Sequence, residues 1–148
     1  MSFKLSERSQ RNLHGVHPDI VTVVTAAIEI TRVDFGVIEG VRSLEDQEAN
    51  VAAGRSQTMA SKHLVQDDGY GHAVDLMAYV GGKGCWELNV YDDVADAIAA
   101  AARIKKVPIR WGCAWHIPDI RDWKGAMGEA MNAYIDLRRS QGRRPFLD

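Results

Sequence analysis

The sequence has few cysteines, few prolines and no long apolar segment. Its 148 residues include two cysteines, Cys85 and Cys113, and four prolines. Two thiols cannot build the disulfide framework of a small secreted protein and alone make a poor zinc site, so we expect both to be reduced and structural. No apolar stretch reaches the length of a membrane span, and residues 1–8 contain no apolar signal core. We therefore expect accumulation in the cytoplasm, without membrane insertion.

Neither sign of charge dominates the chain. Eighteen Lys and Arg residues oppose 20 Asp and Glu residues, and the net charge of -2 gives no reason to expect a nucleic-acid partner. The length suffices to bury one core, which predicts a single domain over residues 1–148, and no apolar stripe calls for a partner, which predicts a monomer. Four arginines cluster near the end: Arg138, Arg139, Arg143 and Arg144. They are either a patch for an anionic polymer such as a cell wall or an ordinary solvated helix end.

Apolar periodicity predicts an α+β fold. Helices are expected from Pro18 onward, from Ser43 to about Ala53, and over residues 92–105 and 126–139; strands are expected over residues 34–41, 75–80 and 107–111. Ser43 and Asp46 are spaced like a capping box. Residues 81–84 are interpreted as a glycine-rich turn, since they lack the Gly-Lys-Ser/Thr ending of a phosphate-binding loop. The expected architecture is a small, mainly antiparallel sheet that carries the functional motif, with helices on one side and around its edge.

The segment 61–75 carries the strongest functional signal. It holds two of the five histidines, several carboxylates and two glycines, and it leads directly into the apolar residues 76–80. A neutral imidazole and a carboxylate are both good zinc ligands. An ionised Asp75 at the start of a buried strand is costly unless it is paired or bound to a metal. His63 and Asp75 are therefore candidate metal ligands, and the alternative is a hydrogen-bonded turn.

The spacing of this segment resembles a known motif. Ser61-x-His63 followed by Gly71-x-Ala73-x-Asp75 is similar to the Ser-x-His-x-x-Gly-x-Ala-x-Asp motif of the zinc D,D-peptidase and L-alanyl-D-glutamate peptidase superfamily. Bacteriophage endolysins and the Hedgehog signalling domain share this superfamily. The resemblance implies Zn²⁺ bound by His63 and Asp75. Seven residues, 64–70, stand where the motif has two, and we interpret the surplus as a surface loop insertion.

The resemblance also bears on the residues around the metal. Family members carry a Gly-x-Arg whose guanidinium is positioned towards the substrate, and Arg42 stands at this point; from the residues alone a surface ion pair is the alternative. A planar fork of donors suits a carboxylate or a polarised peptide carbonyl. Gln47, one turn into the next helix, is a further substrate-binding candidate. Ser61 either donates a hydrogen bond to substrate or holds its loop.

The last expected parts of the site lie at the end of the sequence. Phage endolysins continue at this point into Asp-x-x-His-Phe-Glu, where the Asp is the catalytic acid/base and the His is the third zinc ligand. Asp148 matches that Asp, so the third ligand is expected three residues beyond it, and we interpret the 148 residues as a truncated form. His116, in the loop after residues 107–111, is the remaining histidine that is placed to substitute.

These resemblances imply a zinc-dependent endopeptidase that cleaves the L-Ala–D-Glu bond of peptidoglycan stem peptides. The expected biology is that of a phage endolysin, held in the host cytoplasm until a holin pore gives it access to the cell wall. Two alternatives remain open at this point. One is a D-alanyl-D-alanine carboxypeptidase or dipeptidase of the same superfamily. The other is a non-catalytic wall-binding module with an incomplete metal site.

Overall fold

A computed structural model describes residues 2–147 of the chain. Within them the elements are α1 (Glu7–Asn12), α2 (Pro18–Ile30), β1 (Asp34–Glu39), α3 (Leu44–Ala52), β2 (Asp75–Val80), β3 (Lys83–Cys85), α4 (Leu88–Lys105) and α5 (Met127–Ser140). A 3-10 turn over Ile120–Asp122 precedes α5. Among these helices, none combines the length and the apolar character that a membrane crossing requires.

The three strands form one antiparallel sheet in the order β1-β2-β3. This confirms the predicted α+β class with a small antiparallel sheet. The register of β1 against β2 shifts between Val37 and Glu39, so that Glu39 lies opposite Asp75. Such a bulge bends the strand and re-aims its side chains. Here it brings two carboxylates to the same end of the sheet.

The main core lies where α2 and α4 meet the sheet. Its buried residues come from both helices and from strands β1 and β2, including Val24, Ala27, Ile28, Phe35, Val37, Ala78, Ala97 and Ala101. The small alanine side chains of α4 allow its backbone to approach α2 closely. The helices thereby hold β1 and β2 from one side, and β2 begins at Asp75, the last residue of the motif.

Two local predictions in this part of the chain were wrong. Residues 107–111 form no strand: Pro108 lacks the N–H that a ladder needs, and Ile109 instead accepts a hydrogen bond from the backbone N–H of Ile120 at 2.8 Å. Residues 81–84, expected to form only a turn, also begin strand β3. Gly81 and Gly82 have φ of 59° and 79°, the positive values that a tight hairpin turn requires.

The helix starts follow from their capping residues. Ser43 accepts a hydrogen bond from the backbone N–H of Asp46 at 3.0 Å, as the capping-box spacing predicted. His17 caps α2 by accepting from the N–H of Asp19 at 3.1 Å, with Pro18 at the first helical position. The cap at Ser43 fixes where α3 begins, and this sets the position of Gln47 beside the end of β1.

A second, smaller core lies between α4, α5 and the segment before α5, and it contains His116. The His116 ring stacks on Tyr134 with centroids 5.6 Å apart and meets the Trp123 ring edge-on. Its Nδ1 atom is buried and has no hydrogen-bond partner among the described residues. His116 makes no hydrogen bond or ion pair with His63 or Asp75, so we interpret it as a core residue.

Replacing His116 with phenylalanine is expected to stabilise the fold by about 1 kcal/mol, because an unpartnered buried nitrogen is removed while the ring stack remains. Burial lowers the pKa of His116. The native protein should therefore lose stability as the pH falls below about 6.5, the unfolded-state value, towards the lower folded pKa. His116→Phe should reduce this acid sensitivity in thermal melts, whereas replacement of the exposed His14 by glutamine should not. An unchanged melting profile for His116→Phe would contradict this interpretation.

Candidate metal and substrate site

His63 is held through both its ring and its backbone. Its Nδ1 lies 2.8 Å from the carbonyl oxygen of Gly40, and its own carbonyl accepts from the N–H of Arg42 at 2.8 Å. A carbonyl oxygen only accepts, so Nδ1 carries the hydrogen and Nε2 is the atom turned into the site. A carbonyl partner of this kind orients metal-binding histidines and fixes their tautomer.

Asp75, the first residue of β2, lies beside this ring. Its Oδ1 is 3.3 Å from His63 Nε2. Two ligands bound tetrahedrally to zinc at about 2.0–2.1 Å are separated by about 3.3–3.4 Å, so the two atoms fit one metal ion. The structure thus brings His63 and Asp75 together, although twelve positions separate them in the chain.

The insertion over residues 64–70 does not disturb this arrangement, because it closes on itself. The N–H of Gln66 donates to the carbonyl of Tyr70 at 2.8 Å, and Val65 forms a bridge with Gly71. Gly69 has a φ of 86°, a turn conformation that glycine adopts without strain. The chain therefore leaves the motif after His63 and returns to it at Gly71. The insertion does not keep the two halves of the motif apart.

Arg42 follows β1 and lies against the same carboxylate. Its side chain is 11% exposed and its Nη2 is 3.7 Å from Asp75 Oδ2. Its Nε donates to Glu39, and its Nη1 donates to Gln47 Oε1 at 2.6 Å. Glu39 and Gln47 therefore hold the guanidinium in one orientation at the edge of the His63–Asp75 pair.

Gln47, predicted as a substrate-binding residue, lies in the interior beside Arg42. Gln47 is fully buried, and its Nε2 donates to the Thr58 carbonyl at 2.6 Å and to Ser56 Oγ at 2.8 Å. Because its oxygen accepts from Arg42, both ends of the amide are engaged within the protein. Gln47 is a support that ties α3, the connector after it and Arg42 together.

Ser61 and Asp148 are the other two residues predicted for the site. Ser61 Oγ accepts from the N–H of His63 at 3.2 Å, which favours the loop-holding alternative for this hydroxyl. Asp148 lies outside the described residues, and so does the ligand expected beyond it.

The charges of the site reinforce one another. Burial opposes a charge on His63, but the hydrogen bond and the charge of Asp75 outweigh it and raise the pKa of His63. Burial likewise acts to raise the pKa of Asp75, but His63 and Arg42 hold that pKa below its ordinary value. Without a metal these groups favour an imidazolium–carboxylate pair. A metal therefore displaces the Nε2 proton of His63 when it binds.

Sequence reasoning missed Glu39 and Gly40. Glu39 lies opposite Asp75 because of the β-bulge, which no pattern in the strand indicates, and its carboxylate accepts from Arg42 Nε. A Cβ on Gly40 would lie 1.9 Å from the backbone oxygen of Asn12, so glycine is what allows α1 to approach the end of β1. The same close packing fixes the Gly40 carbonyl that binds His63.

Replacing Gly40 with alanine is expected to destabilise the protein by about 3 kcal/mol, the upper end for overpacking, since the contact is with backbone that cannot turn aside. It should also displace the carbonyl from His63 and weaken metal binding. Urea unfolding and a metal titration measure the two effects. Wild-type stability for Gly40→Ala would show that α1 can move away and that the glycine is not required.

A second histidine–carboxylate group lies at the insertion. One ligand atom each from His17, Asp68 and His72 lies within 4.8 Å of the others. His17 also caps α2, and Asp68 belongs to the insertion. The chain therefore contains a three-residue cluster suited to a metal, separate from His63 and Asp75.

Comparisons with known proteins identify relatives of this chain. A family model described as phage L-alanyl-D-glutamate peptidase matches residues 1–128. The chain is 30% identical over 120 residues to the L-alanyl-D-glutamate peptidase of Escherichia phage T5, covering 78% of this chain and 84% of that protein. It also matches the crystal structure of the Serratia marcescens L-Ala D-Glu endopeptidase ChiX, with a TM-score of 0.70, 40% identity and coverage of 80% of this chain and 86% of the other. These findings confirm the family predicted from the motif: the chain belongs to the phage L-alanyl-D-glutamate peptidase family and is a peptidase of the endolysin type.

Proposed function

We propose that this protein is a zinc endopeptidase that cuts the bond between L-alanine and D-glutamate in peptidoglycan stem peptides. The observation that carries the proposal is the separation of 3.3 Å between His63 Nε2 and Asp75 Oδ1, with the ring fixed by Gly40. The named activities of the relatives from phage T5 and Serratia marcescens support the choice of bond.

The proposed ligands are His63, Asp75 and the histidine that the family resemblance places three residues after Asp148. Two imidazoles and a carboxylate, with one position left open, form a common catalytic zinc set. When bound, zinc supplies a Lewis acid and lowers the pKa of water towards neutrality. The fixed tautomer of His63 keeps Nε2 available as a ligand, so little reorganisation is needed on binding.

Arg42 is proposed to bind the carbonyl oxygen of the scissile peptide. Its guanidinium lies 3.7 Å from Asp75, so it borders the place where a substrate carbonyl would meet the metal ligands. Glu39 and Gln47 hold it before substrate arrives. Donors fixed in advance stabilise the negative charge that develops on a carbonyl oxygen during attack.

Asp148 is proposed as the acid/base residue of the reaction. A carboxylate in this role accepts a proton from the attacking water and passes it to the nitrogen of the departing D-glutamate. His63 is unsuited to that role, since Nδ1 is engaged by Gly40 and Nε2 is assigned to the metal. The family resemblance assigns the role to the carboxylate of Asp148.

We further propose that the protein acts as a single-domain monomer that reaches the wall through a holin pore. The proposal of monomeric action is supported by the two cores, because apolar residues of α2, α4 and α5 are buried within the chain itself. Size-exclusion chromatography with light scattering tests the monomer. Lysis of expressing cells only when a holin is co-expressed tests the route of access.

The scissile bond is tested by mass spectrometry of purified peptidoglycan digested with the protein. New fragments that begin at D-glutamate are the expected product. Release of free D-alanine would instead identify the enzyme as a D-alanyl-D-alanine carboxypeptidase. Wall binding without any product, both for this chain and for a form extended beyond Asp148, would favour a non-catalytic module.

A further inference from the structure

The insertion over residues 64–70 places a carboxylate between two histidines from different parts of the fold. Asp68 Oδ2 lies 2.7 Å from His72 Nε2 and 3.8 Å from His17 Nε2. The rings of His17 and His72 are 4.9 Å apart at an angle of 58°. All three side chains are partly exposed, so an ion from solvent has access to them.

The backbone around this cluster is already fixed. The N–H of His17 donates to the Gly71 carbonyl at 2.9 Å, and the N–H of His72 donates to the Lys62 carbonyl at 2.7 Å. The carboxylate of Asp68 is turned by an Asx turn, in which its Oδ1 accepts from the N–H of Tyr70 at 3.1 Å. His17 and His72 thus lie on backbone that is held by hydrogen bonds. Asp68 lies on the loop, and a small movement of its carboxylate would bring all three ligand atoms to one metal ion.

A metal at His17 Nε2 requires its proton on Nδ1. In the structure Nδ1 accepts from the N–H of Asp19, and the carboxylate of Asp19 lies 3.9 Å away. On binding, Nδ1–H is expected to donate to that carboxylate instead. A carboxylate behind a ligating histidine is a common outer-shell partner of protein metal sites.

We propose that His17, Asp68 and His72 form a second site, for a divalent transition metal of the Zn²⁺ class. Two imidazole nitrogens and one carboxylate oxygen suit zinc, nickel or copper, whereas calcium and magnesium require mainly oxygen ligands. The ion would fasten the insertion to the start of α2. His72 bonds to Lys62, the residue before His63, and lies three positions before Asp75, so the fastening also steadies the candidate active site. This site uses none of the proposed peptidase ligands and stands independently of the proposed function.

The test is a calorimetric Zn²⁺ titration of the full chain carrying His63→Gln and Asp75→Asn, which removes the first site. One zinc per chain is expected to bind, and Ca²⁺ used as the probe should give no binding heat. Adding Asp68→Asn, which keeps the Asx-turn acceptor but removes the charge, should weaken zinc binding by at least about tenfold, and His72→Gln should do the same. Asp67→Asn is the matched control, because the Asp67 side chain makes no hydrogen bond or ion pair with residues 2–147.

Hydrogen exchange provides a second readout that does not involve activity. Zinc should slow exchange of the amides in residues 64–70 in the background variant and in Asp67→Asn, but not after Asp68→Asn. The proposal is overturned if the background variant binds no zinc, or if Asp68→Asn and His72→Gln bind it as tightly as Asp67→Asn. Loss of peptidase activity in the background variant bears only on the first site, so the two proposals fail separately.

Discussion

Replacing His63 with alanine is expected to lower the rate of stem-peptide cleavage by more than about a hundredfold. Loss of an outer-shell partner of a metal ligand alone costs about 10–100-fold, and His63 is proposed as a ligand itself. Its ring is held by the Gly40 carbonyl and lies 3.3 Å from Asp75, and the structure offers no other imidazole to that carboxylate within residues 2–147. The measurement is the initial rate of release of D-glutamate-terminated fragments.

His14→Ala is the matched control for this variant. His14 is an exposed histidine whose side chain contacts neither His63 nor Asp75, so its loss should leave the rate unchanged. Circular dichroism checks that both variants remain folded. Retention of more than about a tenth of the wild-type rate by folded His63→Ala would remove His63 from the ligand set.

The second large effect is expected for Arg42→Lys. Lysine keeps the positive charge near Glu39 and Asp75, so the fold should tolerate it, but it cannot supply the planar fork that contacts Glu39, Gln47 and Asp75 together. If Arg42 stabilises the carbonyl oxygen in the transition state, kcat should fall by about 10²–10³-fold with a smaller change in KM.

Arg55→Lys is the control, because Arg55 is exposed and, within residues 2–147, its guanidinium bonds only to Asn50, at 3.0 Å. Its kinetic constants should match those of the wild type. A rise in KM with unchanged kcat for Arg42→Lys would instead mean that Arg42 binds the ground-state substrate. Wild-type values of both constants would reduce Arg42 to a structural ion pair.

Much of the scaffold could be predicted because local chemistry determines it. The apolar stripe of α2, the cap at Ser43 and the strand after Asp75 each follow from side chains close together in the sequence. The meeting of His63 and Asp75 was also anticipated: their residue types made them candidate ligands, and the resemblance to a known motif favoured the pairing over a hydrogen-bonded turn. The length of the insertion did not obscure the pairing, since a loop that closes on itself leaves its ends where they were.

The remaining features depend on tertiary packing. The bulge that turns Glu39 towards Asp75 is set by the register of two strands, and the contact of Gly40 with Asn12 requires α1 to be docked. His17 and Asp68 are fifty-one positions apart, and neither belongs to a motif that would pair them. For residues 107–111, β-branched composition favoured a strand, but Pro108 prevented it and loop packing took its place.

The most direct test of the central claim is the zinc dependence of cleavage. Protein stripped with a chelator and freed of it should release no D-glutamate-terminated fragments. Added Zn²⁺ should restore the wild-type rate, but it should not restore the rate of His63→Ala. Full cleavage by the stripped wild-type protein would contradict the account, because His63 and Asp75 would then serve a reaction that needs no metal.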